Sequence, residues 1–304
     1  MMPASIHNCR MISHQREEPI MGSVKPVQTW LLLEVEGAMG AQALEESDIP
    51  EVVKEHLNQV LNALSGARLL LIKSGAEAPQ DRFGIYVVNG RESDPYYLKH
   101  EFERYEDLLD LDLSAEPGAD RRNSKWSEGR EPLHLVCTNG RRDPCCAQEG
   151  LPVFSALNIR APDSTWQSSH LGGHRFAANV LAFPYGVLYG RVTPQDADRL
   201  LAAGSAGELL IEKYRGRACY EKPVQAAEAH LRLQTGRLGL EDFHWETTEV
   251  ITEDRWRVVF SDLESDSHTL DLQLDQSETV DYVSCRDDKQ SPVVHYKLLD
   301  YESE

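Results

Sequence analysis

The residues best suited to chemistry in this chain are cysteines and histidines in two short polar segments. The first segment runs from Cys137 to Cys146 and reads Cys-Thr-Asn-Gly-Arg-Arg-Asp-Pro-Cys-Cys, and the second holds His170 and His174 on either side of Leu-Gly-Gly. Thiolate and neutral imidazole are ligands for Zn, Cu and Fe, and two of each complete a four-ligand set. The two segments therefore predict a metal or cluster site, provided that they meet in the fold.

The spacing within both segments differs from the common zinc motifs. Cys137 and Cys146 are too far apart for a CxxC knuckle, and the wide loop between them could enclose more than one ion. Gly172 and Gly173 disfavour a helix carrying both histidines on one face, because glycine costs about 1 kcal/mol per helical position. A turn through these glycines would instead point both imidazoles the same way.

Two predicted strands position the two segments. An apolar strand over residues 133–137 leads into the cysteines, a helix covers about 146–157, and a second strand over 164–168 leads into the histidines. A hairpin over 179–192 follows, and then two helices. This order of elements is what a thioredoxin-like domain requires, and we assign it to residues 131–236.

The N-terminal half is predicted to be a separate α/β region over residues 27–111. Apolar runs at 29–35, 67–73 and 83–88 have the length of strands. An amphipathic helix over 50–64 begins at a proline and ends near a glycine. No residue in this region indicates chemistry.

The remaining segments complete the expected fold. Residues 1–26 are polar and predict a flexible tail, and residues 112–130 are rich in polar residues, Pro and Gly and predict a linker. Residues 240–304 contain strands alternating with period two, which indicates antiparallel pairing. We expect an α/β protein that combines the thioredoxin-like domain, the α/β N-terminal half and a small β-rich C-terminal region.

Composition and charge exclude several partners. The formal net charge of -19 opposes binding to nucleic acid or to an anionic membrane. No apolar run approaches the ~20 residues of a membrane span, and residues 1–21 lack the apolar core of a secretory signal. We therefore expect a cytoplasmic protein whose cysteines are free thiols or metal ligands.

Three stretches resemble the sucrase/ferredoxin-like family, whose members are thioredoxin-fold [2Fe–2S] proteins. They are the Cys-Thr-Asn-Gly-x-Arg-Asp-x-x-Cys motif at 137–146, the Trp-Gln-Ser-Ser-His-Leu-Gly-Gly-His-Arg-Phe-Ala-Ala-Asn-Val run at 166–180, and Leu-Tyr-Gly-Arg-Val at 188–192. The resemblance is close over residues 131–232 and looser on both sides. The combination of C-x8-C with H-x-G-G-H is specific, whereas either half alone would be weak.

The resemblance implies a ligand set and a function. The cluster ligands would be Cys137, Cys146, His170 and His174, with the family spacing selecting Cys146 over its neighbour Cys145. The protein would then be a one-electron carrier, rather than a hydrolase, that exchanges electrons with a redox partner protein, either a reductase or an acceptor. Replacing two thiolates by neutral imidazoles raises the reduction potential in Rieske centres, and the same electrostatic reason applies here.

Other functions remain open at this level. A structural Cys2His2 zinc site would use the same ligands, and the sequence separates it poorly from a cluster. A thiol–disulfide oxidoreductase requires a CxxC at a helix N-terminus, and Cys145-Cys146 is not that motif. A glycosidase requires two carboxylates about 5–10 Å apart, and no recognisable motif supplies them.

The other candidate residues are interpreted as structural. Cys9, Cys219 and Cys285 are too scattered along the sequence to predict a site. Cys145 is expected to be a packed thiol or a redox-sensitive neighbour of the site. Arg142 and Asp143 could hydrogen-bond around the cluster, or pair with each other and cap the helix that follows, and we favour the structural role.

Overall fold

Two β-sheets organise the chain. In the computed structural model, which describes residues 8–75, 82–113, 126–286 and 288–304, the strands form a ten-stranded mixed sheet and a four-stranded antiparallel sheet. The ten-stranded sheet consists of two half-sheets of five strands each. The predicted α/β class with a β-rich C-terminal region is confirmed.

The first half-sheet comprises β2-β1-β3-β4-β5. Strands β1 and β2 are parallel, and the other neighbours are antiparallel. The elements in this part of the chain are α1 (Cys9–Gln15), β1 (Thr29–Glu34), α2 (Glu51–Ala63), β2 (Ala67–Ser74), β3 (Phe83–Asn89), β4 (Tyr96–Phe102) and β5 (Ser127–Gly129). The sequence predicted β1, α2, β2 and β3, but it predicted neither α1, β4 nor β5.

The second half-sheet comprises β7-β6-β8-β9-β10. Strands β6 and β7 are parallel, and the other neighbours are antiparallel. The elements are β6 (Leu133–Cys137), α3 (Pro144–Arg160), β7 (Thr165–Ser168), β8 (Val180–Phe183), β9 (Val187–Tyr189), α4 (Ala197–Ala206), β10 (Tyr214–Arg217) and α5 (Lys222–Thr235). They follow the predicted thioredoxin-like order, with β10 as an unpredicted addition.

The two half-sheets join at one seam. Strand β2 pairs antiparallel with β7 through Ile72–Ser168, Lys73–Gln167 and Ser74–Trp166. The region predicted as a linker, 112–130, therefore does not separate two sheets. Its residues 127–129 form β5, and its residues 114–125 lie outside the described part of the chain.

Alternation along β1 explains how the core is divided. Leu31 and Leu33 face the side on which α2 packs, whereas Trp30 and Leu32 face a core shared by both half-sheets. Strands covered on both faces read as continuous apolar runs, as β1 does. The shared core also contains Phe183 of β8, whose ring contacts Trp30 edge-on at 5.6 Å between centroids.

The C-terminal region is an antiparallel meander packed on α5. Its strands are β11 (Phe243–Thr252), β12 (Arg255–Asp262), β13 (Ser267–Tyr282) and β14 (Gln290–Ser303). Alternate side chains such as Val258, Phe260 and Leu270 are buried against Val224 of α5, and intervening residues face outward. The period-two pattern arises because one face is covered and the other is solvated.

The N-terminal segment differs from the expected flexible tail. Asn8 caps α1 by accepting a hydrogen bond from the Met11 amide, and Cys9 is fully buried. Arg191 donates to the hydroxyl and the carbonyl of Ser13 at 3.0 and 3.2 Å. Residues 8–26 are thus anchored by contacts with distant residues, which a short polar sequence does not reveal. Residues 1–7 lie outside the described part of the chain.

Candidate metal centre

The two cysteines predicted as ligands lie where β6 meets α3. Cys137 is the last residue of β6, and Cys146 lies in the first turn of α3. The Oδ1 atom of Asp143 accepts a hydrogen bond from the Cys145 amide at 3.0 Å, so Asp143 caps α3 as predicted. A Cβ atom on Gly150 would lie 2.1 Å from the Cys137 carbonyl oxygen. Glycine at this position therefore allows α3 to approach the end of β6 closely.

His170 meets both cysteines. Its Nδ1 atom lies 3.9 Å from the Cys137 sulfur and 3.6 Å from the Cys146 sulfur. These three ligand atoms all lie within 4.8 Å of one another, and both cysteines are buried. Arg68 of β2 donates hydrogen bonds to the backbone carbonyls of His170 and Leu171. The first half-sheet thus helps to hold a residue of the site.

His174 lies beside this group but is not among its three ligand atoms. The rings of His170 and His174 are 5.2 Å apart between centroids and tilted by 32°. The His174 Nδ1 atom lies 3.4 Å from Oδ2 of Asp143, but the atoms are not aligned for a hydrogen bond and this buried nitrogen has no hydrogen-bond partner among the described residues. Since alignment decides a hydrogen bond, the contact is electrostatic.

The loop between the two histidines is a turn, as the glycines predicted. Gly172 and Gly173 have φ angles of +96° and +68°, a region that favours glycine. Buried Arg215 donates to the Gly172 carbonyl at 3.0 Å and to Oδ1 of Asn179 at 2.8 Å. Asn179 in turn donates to the Gly173 carbonyl at 3.0 Å. Arg215 was missed at the sequence level because an arginine in a short strand gives no local sign of burial.

The pKa values of the two thiols near His170 are shifted in opposite directions. Hydrogen bonding to Cys146, with a smaller contribution from His170, lowers the pKa of Cys137 well below its ordinary value. The same contact with Cys137, together with burial, raises the pKa of Cys146. Burial also lowers the pKa of His174, which favours its neutral form. A thiolate and a neutral imidazole are the forms that bind metals.

A second group of cysteines forms where none was predicted. Cys9 of α1, Cys145 of α3 and Cys285, in the segment after β13, are all buried, and their sulfurs lie 3.8 Å (Cys9–Cys145), 3.3 Å (Cys9–Cys285) and 3.1 Å (Cys145–Cys285) apart. The interpretation of Cys9 and Cys285 as scattered residues was therefore wrong. They come from opposite ends of the chain, so their proximity depends on the complete fold. Cys219 belongs to neither group of candidate metal ligands among the described residues.

The Asp143 carboxylate lies between the two cysteine groups. Oδ2 accepts a hydrogen bond from the Cys285 amide at 2.9 Å and also faces the His174 ring. Contacts with Cys145 and Cys9 lower the pKa of Cys285 to about 2, and the contact with Cys285 raises the pKa of Cys145 to about 12. The thiol proton is thus favoured on Cys145 rather than on Cys285.

Fold and site together define a mixed α/β protein with a buried cysteine–histidine centre at the ends of the parallel strands β6 and β7. A model of the sucrase/ferredoxin-like family matches residues 20–216 of this chain. The chain belongs to the sucrase/ferredoxin-like family. The predicted family membership is thereby confirmed.

The chain is also similar to a curated fungal protein. It is 34% identical over 97 residues to Altered inheritance of mitochondria protein 32 of Meyerozyma guilliermondii. The match covers 28% of this chain and 34% of the relative, so the chain spans about a third of the length of the relative it matches. No solved structure matches the chain significantly. In the described ranges, no helix is both long and apolar enough to cross a membrane.

Proposed function

We propose that this protein is an electron carrier that holds a [2Fe–2S] cluster on Cys137, Cys146, His170 and His174. The observation that carries the proposal is the convergence of two sulfurs and the Nδ1 of His170 within 4.8 Å, from segments that the sequence separates. Membership of the sucrase/ferredoxin-like family supports it.

The donor set fits such a group. Thiolate and imidazole are ligands of iron in clusters that replace two cysteines by two histidines. Three of the four donors already lie together, and His174 follows His170 on the same glycine turn, with its ring 5.2 Å away. The buried Nδ1 of His174 has no hydrogen-bond partner among the described residues. A buried polar atom without a partner is costly, and ligation or a shift toward Asp143 would satisfy this ring.

The cluster, when bound, would supply one-electron transfer. The residues of this chain then have distinct tasks. Arg68 and Arg215 hold the histidine loop through its carbonyls. The Asp143 carboxylate, 3.4 Å from the His174 ring, would orient that imidazole.

The histidine side is the route by which a partner would reach the centre. Both cysteines are buried, whereas both histidines are partly exposed. A cavity of about 400 Å³ opens beside His170 and includes Arg68, Asn139 and Arg142 in its lining. We propose that a redox partner protein, either a reductase or an acceptor, docks over this opening.

The proposal is tested on protein purified without air. Visible absorption, iron and acid-labile sulfide content, and an EPR signal after dithionite reduction should all be present in the natural protein. They should be lost in Cys137→Ala and retained in Cys219→Ala, because Cys219 lies outside both cysteine groups. Colourless protein with zinc bound by the same four residues would contradict the cluster and establish the structural zinc alternative.

A further inference from the structure

The second cysteine group has the features of a built site. Its members come from α1, from the first turn of α3 and from the segment after β13. Cys9 is fully buried, and Cys145 and Cys285 are each at most 3% exposed. One ligand atom from each of these cysteines and one carboxylate oxygen of Asp143 lie within 4.8 Å of one another. Solvent is therefore excluded from four potential donors that lie close together.

We propose that Cys9, Cys145, Cys285 and Asp143 bind a zinc ion, at a site separate from the cysteine–histidine centre. Zinc binds cysteine sulfur and carboxylate oxygen, and three thiolates with one carboxylate complete the four-coordinate set that a structural zinc ion requires. With Zn–S bonds of about 2.3 Å, tetrahedral geometry places the sulfurs roughly 3.8 Å apart. The observed separations of 3.1 to 3.8 Å need only a small expansion to reach that arrangement.

The arrangement favours an ion over a disulfide. A disulfide would join only two of the three sulfurs and would leave the third thiol outside the bond. Each sulfur instead contacts both others, and the Asp143 oxygens accept hydrogen bonds from the Cys145 and Cys285 amides. Those amide hydrogen bonds fix the carboxylate next to the sulfurs, as hydrogen bonds to ligating carboxylates do in metal sites.

The two sites would be adjacent and would have different ligands, although Asp143, a ligand of the zinc ion, also contacts the His174 ring of the other centre. Cys145 and Cys146 are neighbours in the sequence, and their sulfurs belong to different groups. Asp143 contacts Cys285 on one side and His174 on the other. A zinc ion here would fasten both ends of the chain against the loop that carries the histidines. Loss of the ion should therefore free α1 and the segment around Cys285.

The experiment is metal analysis of the full-length protein purified without air and without added chelator. Natural protein should contain zinc at about one ion per chain, as expected for a closed structural site, besides the iron of the other centre. After removal of zinc, added Co²⁺ should give the intense thiolate charge-transfer and d–d absorption of tetrahedral cobalt. Cys285→Ser should lose at least about tenfold in zinc affinity, since even the loss of an outer-shell partner costs about 10–100-fold, and Cys219→Ser should retain natural affinity.

Two variants distinguish a failure of the zinc site from a failure of the proposed cluster. Cys137→Ala should lose iron and keep zinc, and Cys285→Ser should bind zinc more weakly and keep the visible absorption. Natural protein that holds no zinc and gives no tetrahedral cobalt spectrum would overturn the zinc site. A Cys145–Cys285 disulfide found by peptide mapping, or a zinc affinity of Cys285→Ser equal to that of the natural protein, would overturn it as well. The measurements on natural protein decide the question even if a variant does not fold.

Discussion

The two half-sheets share one topology but differ in chemistry. The first half-sheet has the order β2-β1-β3-β4, and its parallel strands β1 and β2 are connected by helix α2. The second has the order β7-β6-β8-β9, and its parallel strands β6 and β7 are connected by helix α3. In both half-sheets, the third strand of this order runs antiparallel to the second, and the fourth runs antiparallel to the third. The similarity is one of strand order and pairing, and no repeat is visible in the sequence.

Among the described residues, the candidate ligands of the cysteine–histidine centre all belong to the second half-sheet and its loops. Its β6 ends in Cys137, whereas β1 ends in Glu34, and no cysteine occurs anywhere in residues 27–111. Helix α3 begins with the Asp143 cap and Cys145-Cys146, whereas α2 begins after Pro50, which makes no side-chain capping hydrogen bond. The comparison shows that the shared topology supplies loop positions, and that the residues in those loops decide the chemistry.

The largest expected effect tests whether the half-sheets are one folding unit. Trp30 of β1 packs in the shared core against Phe183 of β8. Trp30→Ala should lower the free energy of unfolding by about 3–5 kcal/mol, in urea titrations followed by far-UV circular dichroism and by visible absorption. Both signals should shift together, and Val52→Ala, at an exposed position of α2, should shift neither. A shift in the circular dichroism transition alone would show that the two half-sheets unfold independently.

An intermediate effect tests a buried group of ion pairs, a feature that the described residues of the first half-sheet lack. Buried Glu228 of α5 accepts hydrogen bonds from Arg217 of β10 and from Arg232. Burial acts to raise the pKa of Glu228, but the two arginines outweigh it and lower the pKa from 4.5 to about 2. The ionised form is therefore favoured in the folded protein.

The sign of the pH dependence follows from that lowered pKa. The contribution of ionised Glu228 to the free energy of unfolding is complete above pH 4.5 and is lost as the pH falls from 4.5 toward about 2. It should be on the order of 3 kcal/mol, measured as the difference in acid dependence of unfolding between natural protein and Glu228→Gln. Parallel acid profiles for the two proteins would show that Glu228 does not contribute.

The smallest effect concerns the histidine turn. A Cβ atom on Gly173 would lie 2.4 Å from the Arg215 guanidinium, whereas Gly207 has the same φ of +68° and no atom within 4 Å of such a Cβ. Each alanine variant should lose about 1–2 kcal/mol from the left-handed backbone. Gly173→Ala should additionally displace Arg215 and reduce the iron content. Equal iron content in the two variants would show that the Arg215 contacts do not affect cluster binding.

Local patterns predicted the elements around the centre. Strand β6, helix α3 and the glycine turn all lie where residue type and spacing placed them, because apolar runs, caps and left-handed glycines act within a few residues. Strand β10 was missed since its Tyr-Arg-Gly-Arg sequence holds two arginines whose partners lie elsewhere in the chain: Glu228 on α5 for Arg217, and the histidine loop for Arg215. Strand β5 was missed since its three residues, Ser-Glu-Gly, carry no apolar signal.

The sequence by itself determined the chemistry that is available: which residues can bind a metal, and which strands lead into the segments that carry Cys137, Cys146 and the two histidines. Only the tertiary structure decided that the half-sheets join through β2 and β7, and that Cys9 and Cys285 reach Cys145. The physical reason is range. Propensity and spacing act between near neighbours, whereas contacts between the two ends of a chain depend on the packing of every element between them.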